Sequence, residues 1–115
     1  MTFRERCDAI CAEFAGATLA RAIDGELESW KVGGKMFACF GTTEPGVSVK
    51  CADPETASML IEAGVARTAR YFHRSWIRLD ETVPEEELQV RLETSYALIC
   101  KGLPKRVRDT LSEGV

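Results

Sequence analysis

Hydrophobic and polar positions alternate most clearly in the stretch Trp30-Lys31-Val32-Gly33-Gly34-Lys35-Met36-Phe37-Ala38-Cys39-Phe40, where two apolar-rich runs flank a Gly-Gly pair. Glycine accepts positive φ at both central positions of the favoured two-residue turn, so the stretch predicts a β-hairpin. In that hairpin Val32 faces Lys35 and Trp30 faces Phe37. Strict alternation then puts Trp30, Val32, Phe37 and Cys39 on one side, and Lys31, Met36, Ala38 and Phe40 on the other. A second alternating run points Val47, Val49 and Cys51 one way and Ser48 and Lys50 the other. A third sets Ile77 and Leu79 against Trp76, Arg78 and Asp80. The apolar sides are expected to face helices. If these strands share a sheet, Ser48, Lys50, Trp76 and Arg78 lie together on its other face.

Helical periodicity supplies the remaining elements. Thr2-Phe3-Arg4-Glu5 reads as a capping box, followed by a stripe of Phe3, Cys7, Ile10, Cys11 and Phe14, with Gly16 as the stop. Thr18 to Ile23 is expected as a short strand, Asp24-Gly25-Glu26 as a turn and Gly41 to Gly46 as a loop. Asp53-Pro54 marks a helix start, with Met59 and Leu60 on its apolar side and Gly64 at its end. Arg67 to His73 is expected to be irregular or strand-like. Pro84 and Glu85-Glu86-Glu87 open the longest helix, whose stripe is Leu88, Leu92, Tyr96 and Ile99. Gly102 and Pro104 close it, and Lys105 to Leu111 adds terminal helical turns. The order predicts an α+β fold: an antiparallel sheet with helices packed on one face, formed by residues 1–115 as one domain.

Composition narrows the chemistry. With 45% hydrophobic and 29% charged residues, a chain of 115 residues buries a core without staples. Five cysteines with no C-x-x-C pattern argue against a disulfide framework and a zinc site. Free thiols of this kind suit the cytoplasm. Cys7 and Cys11, one turn apart, read as core positions rather than a metal pair. No stretch is long and apolar enough to cross a membrane, and with Arg4, Glu5, Arg6 and Asp8 in the first turns no signal peptide is expected. The net charge of −3 opposes tight non-specific binding to nucleic acid. Against that total stand two basic clusters. Arg67, Arg70, Arg74 and Arg78 share an acid-free window with Tyr71, Phe72, His73 and Trp76, and Lys101, Lys105, Arg106 and Arg108 form the second. Arginine interleaved with aromatic rings suits phosphate pairing together with base stacking. His73 is the only histidine and reads as structural. No catalytic motif is present, so neither an enzyme nor a cofactor is expected.

The hairpin Lys31-Val32-Gly33-Gly34-Lys35-Met36-Phe37-Ala38 resembles the signature of the MmcQ/YjbR family. Val49-Lys50-Cys51 with Asp53-Pro54, His73-Arg74-Ser75-Trp76, and Ser95-Tyr96 before Leu103-Pro104-Lys105 are similar to that family in order and spacing. The resemblance implies a CyaY-like α+β domain and a DNA-binding role. Two expectations follow. In the first, a small cytoplasmic DNA-binding or DNA-associated accessory protein contacts phosphates through Arg67, Arg70, Arg74 and Arg78, aided by Trp76, Lys31, Lys35 and Lys50. In the second, a protein-interaction module or homodimer uses the exposed sheet face through Met36, Phe40 and Trp76.

Overall fold

Helix starts fall where local signals put them. The structure, a computed structural model, describes residues 1–41 and 44–113, so Thr42 and Thr43 of the expected 41–46 loop lie outside the described residues. Helix α1, Phe3–Cys11, opens with a reciprocal capping box between Thr2 and Glu5. It ends at Cys11, so Phe14 sits in the turn beyond it. Helix α2, Pro54–Glu62, starts from Asp53, whose carboxylate accepts the Thr56 N–H at 2.7 Å. Helix α3, Glu85–Lys101, is capped by Pro84, and its three leading carboxylates face the positive end of the dipole. Glu85 also pairs with Arg6 at 2.6 Å. Helix α4 spans Lys105–Glu113.

Strands β1 (Thr18–Ala20), β2 (Ser29–Val32), β3 (Lys35–Phe40), β4 (Val47–Lys50), β5 (Arg67–Thr68) and β6 (Trp76–Leu79) form one antiparallel sheet in the order β1-β2-β3-β4-β6-β5. The turn between β2 and β3 has Gly33 at φ 58° and Gly34 at φ 80°, and Val32 pairs with Lys35 as expected. Gly33 has a second constraint, because a Cβ there would stand 2.7 Å from a Leu103 methyl carbon.

Beyond the turn the register departs from strict alternation. Lys31 pairs with Met36, but Trp30 pairs with Ala38 rather than Phe37, so Phe37 is the extra residue of a β-bulge. Phe37 and Ala38 both enter the core, and alternation then resumes in the opposite phase. Phe40 joins the core, while Cys39 aligns with Ser48 on the other face. The expected grouping of Cys39 with Trp30, and of Ala38 and Phe40 with Met36, is therefore corrected. The bulge is anchored from α3. Buried Ser95 donates its hydroxyl to the Phe37 carbonyl at 2.6 Å and accepts the Lys50 N–H at 2.9 Å.

The core fills the space between helices and sheet. Val47, Val49, Ile77 and Leu79 meet Leu88 and Leu92 of α3, and Cys7, Ile10 and Cys11 of α1 complete it. The rings of Phe14, Phe37 and Tyr96 cluster, with the Phe14–Tyr96 centroids 4.7 Å apart. Trp30 buries its ring and donates its Nε1–H to Asp8 at 2.8 Å. In α2 the apolar contact comes from Ala57, Leu60 and Ile61, whereas Met59, expected inside, is exposed. Val107 and Leu111 of α4 pack against the same core. Among the described residues, no helix covers the opposite face of the sheet.

Two tests follow from this packing. Ser95→Ala leaves a buried carbonyl and a buried N–H without partners, and is expected to cost about 1–3 kcal/mol in urea unfolding. The second concerns the thiols. Burial pushes Cys7 up to about 12 and raises Cys11 as well. In the unfolded chain both ionise near their ordinary value of 9.0. Their contribution is thus fully present at lower pH and is lost as pH rises above the unfolded value. The urea midpoint is expected to fall steadily between about pH 9 and 11, and Cys7→Ala should lessen the slope.

Candidate binding groove on the open sheet face

The register collects polar groups on the face without helices. Ser29, Cys39, Ser48, Arg78 and Arg67 are successive cross-strand partners, and Lys50 pairs with Trp76. Lys31 and Met36 make a further pair on this face. Lys35, in contrast, pairs with core-facing Val32 and so stands on the helix side of the hairpin tip. The strands thus bring together Arg67, Arg78, Trp76, Lys31 and Lys50 of the expected site, but not Lys35.

The connector from β5 to β6 folds back over this face. Phe72 stacks on Trp76, with centroids 4.8 Å apart and planes at 26°. The Ser75 N–H donates to His73 Nδ1 at 3.1 Å, and the Ser75 hydroxyl lies 2.9 Å from the same nitrogen. Nδ1 therefore serves as acceptor, which assigns the imidazole as the Nε2–H tautomer. Lys50 Nζ donates to the Ser75 hydroxyl at 3.1 Å, so it braces the connector. Tyr71 holds φ at 68°, in the left-handed region that a bulky side chain rarely adopts, and its side chain is 98% exposed.

The arginines that lack acidic neighbours in sequence gain them in space. Arg78 Nε lies 2.9 Å from one Glu44 oxygen, and Arg70 Nε lies 3.3 Å from the other. Arg78 also donates to the Pro45 carbonyl at 3.0 Å, which ties the strand to the residues before β4. Its Nε is buried yet misaligned for a hydrogen bond to Glu44, so that contact is charge attraction without a directional bond. Arg67 sits 3.8 Å from Asp80, and Lys31 is held by Glu26 at 2.6 Å. Arg74 has no carboxylate within ion-pair distance among the described residues. In the second basic cluster, Lys105 pairs with Asp109 along α4 at 2.8 Å.

Connector and sheet enclose a groove of about 510 Å³. Met36, Cys39 and Ser48 contribute from the strands, Tyr71, Phe72 and His73 from the connector, and Glu44, Arg70 and Arg78 supply its charged part. Phe72 lines the groove and Trp76 stands behind it, so Trp76 is covered rather than presented. Phe40, expected as an interface residue, borders the groove but buries its ring in the core, with the Arg4 guanidinium 3.9 Å above it. Burial raises the Cys39 thiol, which keeps it protonated. Glu44, Cys39 and Leu27 were not singled out from sequence. The first gives no local signal, the second is hidden by the bulge, and the third lies in an irregular stretch.

Comparison with known proteins agrees with this architecture. The sequence profile of the YjbR family matches residues 12–98. The crystal structure of Deinococcus radiodurans protein DR2400, which carries the family domain DUF419, is similar with a TM-score of 0.79 and 27% identity. That similarity covers 97% of this chain and 89% of DR2400. No curated protein matches the chain.

The two groove arginines are expected to differ in stability. Arg78→Ala releases Glu44 and the Pro45 carbonyl and opens space beneath the connector, lowering stability by about 1–2 kcal/mol in urea unfolding. Arg70→Ala, at an exposed ion pair, should stay within about 0.5 kcal/mol of the parent.

Proposed function

The chain belongs to the YjbR family, and on that premise we propose that it is a small DNA-associated accessory protein of the cytoplasm, acting by binding rather than by catalysis. The observation that carries the reading is Tyr71, exposed on a left-handed backbone position between Arg70 and Arg74. An aromatic ring presented to solvent, flanked by guanidinium groups, offers stacking and phosphate pairing in one short segment. Arg67 and Arg70 take part, since exposed ion pairs are weak enough to exchange carboxylate for phosphate. Arg78 instead holds the loop, and Trp76 backs the platform through Phe72. The net charge of −3 disfavours the long phosphate track of a duplex and favours a few contacts to an unpaired strand.

A second reading, a protein-interaction module or homodimer through the same face, is favoured by Leu27, an exposed apolar side chain on the groove rim. Anisotropy titrations with labelled single-stranded and duplex oligonucleotides at two salt concentrations separate the two. The expected result is tighter single-strand binding. Tyr71→Ala should weaken it by about 1–3 kcal/mol, and Arg74→Ala should reduce the salt slope by about 0.7. Absence of binding at low salt, or affinities unmoved by both variants, overturns the DNA reading. Concentration-dependent sedimentation lost on Leu27→Ser then supports the interaction module.

A further inference from the structure

We propose that the groove on the open sheet face is a binding site for a small, flat apolar molecule carrying one acidic group, an aromatic carboxylate in chemical class. The groove's volume of about 510 Å³ suits such a ligand. Its lining is mostly apolar and already shaped. Phe72 is fixed in plane by its stack on Trp76, so one ring face is supported from behind before any ligand arrives. The connector that carries Phe72 is itself braced through the bonds linking Lys50, Ser75 and His73. Met36 and the protonated Cys39 thiol present a surface with little capacity to hydrogen-bond, and the Ser48 hydroxyl is the polar group the strands contribute.

The charged part of the groove selects the acidic group. Arg70 and Arg78 bring two guanidinium charges against the single carboxylate of Glu44, leaving one positive charge uncompensated. Arg78 is committed to Glu44 and the Pro45 carbonyl. Arg70 approaches Glu44 through Nε at 3.3 Å, and its two terminal nitrogens make no protein hydrogen bond among the described residues. Those nitrogens form the fork that pairs with a carboxylate in a bidentate manner. An acidic ligand group therefore joins Arg70 without displacing Glu44. A cationic ligand meets the excess positive charge, and a neutral one leaves it unused. The site shares Arg70 and Tyr71 with the proposed nucleic-acid surface, whereas Arg74 lies outside the groove lining.

The probes are 1-anilinonaphthalene-8-sulfonate, followed by fluorescence, and the shape-matched pair 2-naphthoate and 2-naphthamide as competitors. The expected result is saturable binding of one dye per chain, with naphthoate displacing it at about tenfold lower concentration than naphthamide. Arg70→Ala should remove that preference while leaving naphthamide unchanged. Met36→Trp, which fills the groove from the sheet, should abolish dye binding, with cooperative thermal unfolding showing that the fold persists. Non-saturable dye binding, equal displacement by the two competitors, or full binding by the Met36→Trp protein each overturns the proposal. All of these readings are taken without DNA, so the outcome is separate from that of the oligonucleotide titrations.

Discussion

A single buried hydroxyl determines how the two faces of the sheet are made. The bulge at Phe37 inserts a residue that strand pairing alone would not satisfy, and its carbonyl turns into the core. Ser95, reaching down from α3, accepts the Lys50 N–H and donates to that carbonyl. The two bonds fasten the helix to two neighbouring strands at one point. They also fix the phase of β3, since everything after Phe37 is shifted by one residue relative to plain alternation. Without that shift Cys39 faces the helices, and the Phe40 ring and the Met36 thioether share the open side. With it, the open side receives the small Cys39 thiol beside the Ser48 hydroxyl of β4, and space appears between strand and connector. The groove is therefore a downstream result of a bond made on the opposite side of the sheet.

How far the chain could be read in advance follows the range of the interactions. The capping box at Thr2, the Asp53-Pro54 start and the Gly33-Gly34 turn were legible because each is decided within four residues. The faces of β4 and β6 were legible because their alternation is unbroken. The bulge was not, because its partner is 58 residues away in sequence. The ion pairs of the arginine window were hidden for a related reason. Its members lack acidic neighbours along the chain, yet Glu44 and Asp80 arrive from other strands and loops to pair with three of them. Lys35 was misplaced by counting charge without register, since its pairing with Val32 turns it to the helix side.

The open face combines rigid and yielding parts. Trp76 and Arg78 are framework, one as the backing of Phe72 and the other as the tie to Glu44 and Pro45. Tyr71, Arg70 and Arg74 project from that framework with few internal bonds. A strained backbone at Tyr71 is tolerated because the bonds around Ser75 and the stack on Trp76 over-determine the connector. Preorganisation of this kind lowers the ordering cost of any ligand that uses the face.

The sheet's margins carry a consequence of their own. Its outermost strands, β1 and β5, have three and two residues. Each therefore offers few unpaired backbone groups to template a strand from another molecule, and β5 places a charged Arg67 at the rim. A six-stranded sheet with one uncovered side is open to runaway stacking of copies edge to edge. Here the margins are too short for that, so any recognition by the sheet falls to side chains on the broad surface, where selectivity would come from shape and charge.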